Sequence, residues 1–93
     1  MKSGKNIYKA GKLIRIALDY NEIDKITQKI AITGDFFLYP EEGIEKIQLQ
    51  LQGAELDKEK LTRKISEIFQ QEKLEAFGFT SEQLAEAILG ACK

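Results

Sequence analysis

Any reaction centre in this 93-residue chain would have to be built from one thiol, fifteen carboxylates and fourteen lysines or arginines, because histidine is absent. That absence removes the usual general base near neutral pH, the imidazole ligands of metal sites, and every Ser-His or Cys-His nucleophile pair. The single cysteine, Cys92, permits neither an internal disulfide nor a CxxC pair. It lies within the final two residues with no base nearby in sequence, which reads as a terminal thiol rather than a nucleophile. The carboxylates show no metal-ligand spacing, so their abundance reads as a solvated surface. The seven glycines, at 4, 11, 34, 43, 53, 78 and 90, are too dispersed for GxGxxG or GxxxxGK[ST]. The composition argues against self-sufficient catalysis.

Charge is nearly balanced, at −1 overall, but unevenly placed. Lys2, Lys5, Lys9, Lys12 and Arg15 fall within the first 18 residues, which contain no acid. Such a stretch could attract phosphate or an acidic partner, or simply be a solvated strand. Tyr8 is its only aromatic companion, a weak signal for nucleic acid. No apolar run approaches the roughly 20 residues needed to span a bilayer, and no signal peptide is visible, so a reducing cytoplasm is the expected compartment.

The most unusual segment is Ile32-Thr-Gly-Asp-Phe-Phe-Leu-Tyr-Pro-Glu-Glu42. Adjacent strand side chains point apart, so if Phe36 belongs to the core, Phe37 needs cover from a helix, a loop or another protein. Phe37 and Tyr39 are therefore candidates for partner contact, with Asp35 holding the turn after Gly34. Lys12 and Arg15 are candidates for long-range attraction. Gly34 and Phe36 complete the set.

The elements that must position these residues are an α+β arrangement, a small antiparallel sheet of two to three strands followed by three helices, in a single domain over 1–93. Its strand half covers about 5–39 and its helical half about 41–91, divided near the lone proline, Pro40. Ile14, Ile16, Leu18 and Tyr20 alternate as a strand with one buried face. A turn within Tyr20–Lys25, helped by Asn21, leads to a second strand in which Ile26, Ile30, Ile32 and Phe36 share a parity that Gln28 interrupts. Ile7 and Tyr8 suggest a short third strand. Glu41, Glu42 and Glu45 suit a helix start, Ile44, Ile47 and Leu51 form its stripe, and Gly53 ends it. Leu49 lies off that stripe, as an ordinary exposed leucine or part of a docking surface.

Asp57 is the expected N-cap of a second helix with Leu61, Ile65, Ile68 and Phe69 on its buried face. Leu74, Phe77 and Phe79 are expected in the core around Gly78. Thr80 and Gln83 form a capping box for the last helix, Phe79 and Leu84 a hydrophobic staple, and Leu84, Ala87, Ile88 and Ala91 its stripe.

The order Leu13-Ile14-Arg15, Ile30-Ala-Ile-Thr33, Gly34-Asp35-Phe36-Phe37, Tyr39-Pro-Glu-Glu42, then Ile44, Ile47, Leu51 and Gly53, resembles the carboxy-terminal accessory domain of lipoate-protein ligases, in its archaeal style, over roughly residues 9 to 91. Lys12 between Gly11 and Leu13, and Gln48 in place of an acid, depart from the pattern. The resemblance implies an accessory role with no catalytic, cofactor-binding or metal-binding residue here. Lipoate, ATP and Mg are then expected on a catalytic partner, and lipoyl carrier domains as indirect partners, with no nucleic acid and no membrane. The absence of a large domain after Met1 suggests a separate polypeptide, with a piece of a longer ligase as the competing explanation. The other readings are an iron-sulfur or sulfur-transfer scaffold, which the lone terminal cysteine disfavours, and a basic-arm nucleic-acid binder.

Overall fold

Alternating branched residues build an antiparallel sheet whose order is β1 (Lys2–Lys9), β2 (Leu13–Asn21) and β3 (Ile26–Gly34). The structure is a computed structural model that describes residues 1–92. Ile14, Ile16, Leu18 and Tyr20 of β2 and Ile30 and Ile32 of β3 are all buried on one face. The third strand, β1, is eight residues long and pairs with β2 from Leu13 to Tyr20. At the β2–β3 turn the Asn21 side chain accepts from the backbone N–H groups of Ile23 and Asp24, at 2.9 and 3.0 Å, while Lys25 adopts a left-handed φ of 57°.

One detail corrects the expected parity of β3. Asp19 pairs with Lys29 and Tyr20 with Thr27, so Gln28 is the extra residue of a β-bulge. The bulge reverses which face each residue takes: Thr27 is buried and Ile26 only half-buried.

The helices α1 (Gly43–Gln50), α2 (Lys58–Gln71) and α3 (Ser81–Gly90) supply the other side of the core. Ile47 and Leu51, then Leu61, Ile65 and Ile68, then Leu84, Ala87, Ile88 and Ala91 are buried as their spacing requires, and Leu49 is exposed. Asp57 caps α2 by accepting from Lys60 N–H at 3.0 Å. Both reciprocal bonds of the Thr80–Gln83 capping box are formed.

The β3 edge of the three-stranded sheet is covered, which removes on that side the open strand edge that invites pairing with another chain. On the β3 side, Gln48 accepts from Ile32 N–H at 2.8 Å, while the loop after α1 exchanges bonds with Thr27 through Gly53 N–H and the Ala54 carbonyl. On the β1 side, Asn6 donates to the Ala87 carbonyl at 2.9 Å and Tyr8 to Glu86 at 2.9 Å. Tyr20 of β2 reaches the Cys92 carbonyl at 3.1 Å. Asn6 and Tyr20 thus satisfy backbone carbonyls at and just beyond the end of α3.

A second sheet, of two strands, was not anticipated. β4 (Phe37–Tyr39) pairs antiparallel with β5 (Glu75–Phe77), which lies between α2 and α3 inside the helical half. The fold is α+β, a three-stranded antiparallel sheet, a two-stranded ribbon and three helices.

Candidate functional site: an exposed aromatic ribbon

The site begins where β3 ends. Asp35 N–H donates to the Leu13 carbonyl at 3.0 Å, and a Cβ at Gly34 would collide with that same carbonyl, so only glycine allows β2 and the chain after β3 to approach this closely. Among the described residues the Asp35 carboxylate accepts no hydrogen bond. The turn is held by the backbone of Asp35 and the bare Cα of Gly34, not by the acid side chain expected to hold it.

Phe36 and Phe37 then point apart. Phe36 turns inward, edge-on to the buried Phe79 at 5.0 Å and 85°, and Phe69 meets Phe79 from another side at 6.2 Å and 84°. These edge-to-face contacts suit the quadrupoles of the rings. Phe37 turns outward and stays 59% exposed, Leu38 is buried, and Tyr39 is 62% exposed. The strict alternation shows that β4 is half-buried, with its apolar outer face open.

Across the ribbon, Phe77 lies opposite Phe37, with ring centroids 6.2 Å apart, and is itself 57% exposed. This corrects its expected core position. Phe77 and Phe79 share a parity, but Gly78 between them has a φ of 113°, which breaks the strand and sends the two rings to opposite sides. Leu74 and Phe79 are in the core as expected. Phe77 is the site residue that sequence reasoning missed, and the available signal was Gly78 read as a strand break instead of a core turn.

Lys12 joins this ribbon to the main sheet. Its backbone N–H donates to the Gly78 carbonyl at 3.0 Å, and its aliphatic stem crosses Gly78 so closely that a Cβ there would lie 2.6 Å from Lys12 Cγ. Arg15 is exposed on the outward face of β2, opposite Ile7 and Thr33. The structure thus brings Lys12, Phe37, Tyr39 and Phe77 to one region, places Arg15 on the outward sheet face, and turns Phe36 inward.

No grouping of three or more His, Cys, Asp or Glu side chains that could hold a metal ion occurs among the described residues. Cys92 is half-buried, and its Sγ lies 3.8 Å from the Ile88 carbonyl. Burial pushes its thiol up, with Lys25 pulling weakly the other way, which is the opposite of an activated thiolate. No helix among the described residues is long and apolar enough to cross a membrane.

The marked surface feature of this small α+β domain is its three exposed aromatic rings, Phe37, Tyr39 and Phe77. The chain belongs to the family of lipoate-protein ligase carboxy-terminal domains: the model of the bacterial lipoate protein ligase C-terminus matches residues 8–88. Among solved structures, a chain from an archaeal lipoylation system, described as a bi-partite lipoate protein ligase and its E2 lipoyl domain from Thermoplasma acidophilum, is similar at a TM-score of 0.79 and 29% identity. The match covers 92% of this chain and 93% of that one. No curated protein matches this chain.

Proposed function

We propose that this chain is the accessory subunit of a two-component lipoate-protein ligase. It docks on a separate catalytic subunit and is needed for ATP-dependent activation of lipoate to lipoyl-adenylate, before the lipoyl group passes to a carrier lysine. Lipoate, ATP and Mg are held by the catalytic subunit. The observation that carries this reading is the outward pair Phe37 and Phe77, joined by Tyr39, on the stretch that follows the Gly34-Asp35 turn of the family pattern. Exposed, contiguous aromatic rings on a hydrogen-bonded ribbon lose little conformational freedom when covered, which is what an interface anchor requires.

In the activation step the lipoate carboxylate attacks the α-phosphorus of ATP, pyrophosphate leaves, and a mixed anhydride with AMP results. That anhydride is prone to hydrolysis. The contribution of this chain is to order the substrate loops of its partner and exclude water, supplying geometry and no nucleophile. In the transfer step the lysine amine attacks the acyl carbon and AMP leaves.

The test is pyrophosphate release from lipoate and ATP by the catalytic subunit, with and without this chain. The reading expects strong dependence on the chain, and expects Phe37→Ala to weaken that dependence while the domain stays folded. Equal rates in both mixtures would reject the activating role.

A further inference from the structure

The outward face of the three-stranded sheet is bare. Cross-strand partners share a face, and the register arranges this one in three rows: Ile7, Arg15 and Thr33; Lys5, Ala17 and Ala31; Ser3, Asp19 and Lys29. The apolar residues of the other parity are those buried against the helices. In the middle row the two alanines leave a shallow open hollow of about 390 Å³ beside Ile7, which is 67% exposed. The floor is apolar and the surroundings are cationic.

Lys5, Arg15 and Lys29 make no ion pair among the described residues. The one acid in the three rows, Asp19, accepts from Ser3 Oγ at 2.7 Å. The face therefore carries a local positive excess on a chain whose net charge is −1. Cations left unpaired around an apolar hollow complement a surface that is acidic and carries an apolar side chain.

Area gives a second argument. Phe37, Tyr39 and Phe77, each a little over half exposed, offer together roughly 350 Å² of ring surface. A stable interface takes about 800 Å² from each partner. The ribbon alone falls well short, and the Lys12–Gly78 hydrogen bond ties it to the start of β2, the strand that carries Arg15 and Ala17 on the bare face.

We propose that the docking surface for the catalytic ligase subunit continues across this face, where an acidic segment of that subunit places a large apolar side chain in the hollow over Ala17 and Ala31. The inference rests on the docking reading above and names the chemistry of the partner. A nucleic acid fits less well, because the cations of the face flank an apolar alanine floor that gives a phosphate backbone nothing to bind.

The experiment is calorimetric titration of the catalytic subunit into the wild-type chain, Arg15→Glu/Lys29→Glu, Ala31→Trp and Phe37→Ala, at low and high salt. The double reversal is expected to weaken binding about tenfold or more at low salt, with most of that difference gone at high salt. Ala31→Trp, which fills the hollow without changing charge, is expected to weaken binding about tenfold at both salts. A wild-type chain that does not bind defeats the docking reading and this inference with it. Binding that depends on Phe37 but tolerates both sheet variants within about twofold overturns this inference alone. Loss of binding to duplex DNA or to an isolated carrier domain, with binding to the ligase subunit unchanged, also overturns it.

Discussion

Thr27 is buried at the β-bulge, and its hydroxyl has no hydrogen-bond partner among the described residues. A buried, unsatisfied hydroxyl costs about 1 to 3 kcal/mol, and an apolar group of the same shape removes that cost. Thr27→Val is therefore expected to leave the domain as stable or to stabilise it by about 1 kcal/mol in urea unfolding, and a clear loss of stability would show that the hydroxyl is bonded in solution. Thr80 is the opposite case, because its hydroxyl accepts from Gln83 N–H at 3.1 Å in the capping box. Thr80→Ala is expected to cost about 1 kcal/mol in the same measurement. Phe37→Ala should change stability by under about 1 kcal/mol, since the ring touches chiefly Phe77 and solvent, while weakening partner binding about tenfold or more. If unfolding follows the substitution instead, the ring is part of the core and the interface assignment fails. That Phe36 and Phe37 point apart was legible from alternation alone, whereas the openness of Phe37 to solvent was not. The exposure of Phe77 was not legible either, because it depends on the positive φ of Gly78, at a close approach to Lys12 that only the fold brings about.

At the scale of elements, carboxylates bind the strands and helices to one another. Glu86 on α3 accepts from Tyr8 of β1 and stands 3.4 Å from Lys58 of α2. The Tyr8 hydrogen bond, with help from Lys58, holds the Glu86 carboxyl below its ordinary value, and the same bond raises the Tyr8 phenol. Glu72 is lowered first by Lys46 of α1, 3.1 Å away, and then by Gln50. A carboxyl lowered on folding contributes stability that is present above its unfolded value and is lost as pH falls through its folded value. Stability is therefore expected to decline on the acid side of the ordinary glutamate range, and Glu86→Gln or Glu72→Gln should flatten that decline in thermal melts across mildly acid pH. An unchanged acid limb in both variants would show that these contacts are not kept in solution. These pairs are surface-exposed and each contributes little alone. The helices and the caps at Asp57 and Thr80 were readable because capping and periodicity are local. The β4–β5 ribbon was not, since its partners lie far apart in sequence and each strand has only three residues. The bulge at Gln28 was visible only as an interruption of parity, and its consequence, the burial of Thr27 in place of Ile26, needed the β2 register.

For the whole molecule, one side of the sheet is spent on a core shared with three helices, and the other side, with the aromatic ribbon beside it, stays open. A domain of this size has little surplus to stabilise exposed apolar groups without a use for them. The most direct measurement is a titration of this chain into the catalytic ligase subunit, following pyrophosphate release from lipoate and ATP in one series and carrier modification from preformed lipoyl-adenylate in another. Pyrophosphate release should rise with added chain and level off at one equivalent, while transfer from the preformed adenylate changes little. A flat response of pyrophosphate release to the chain, or release by the chain on its own, would contradict the account.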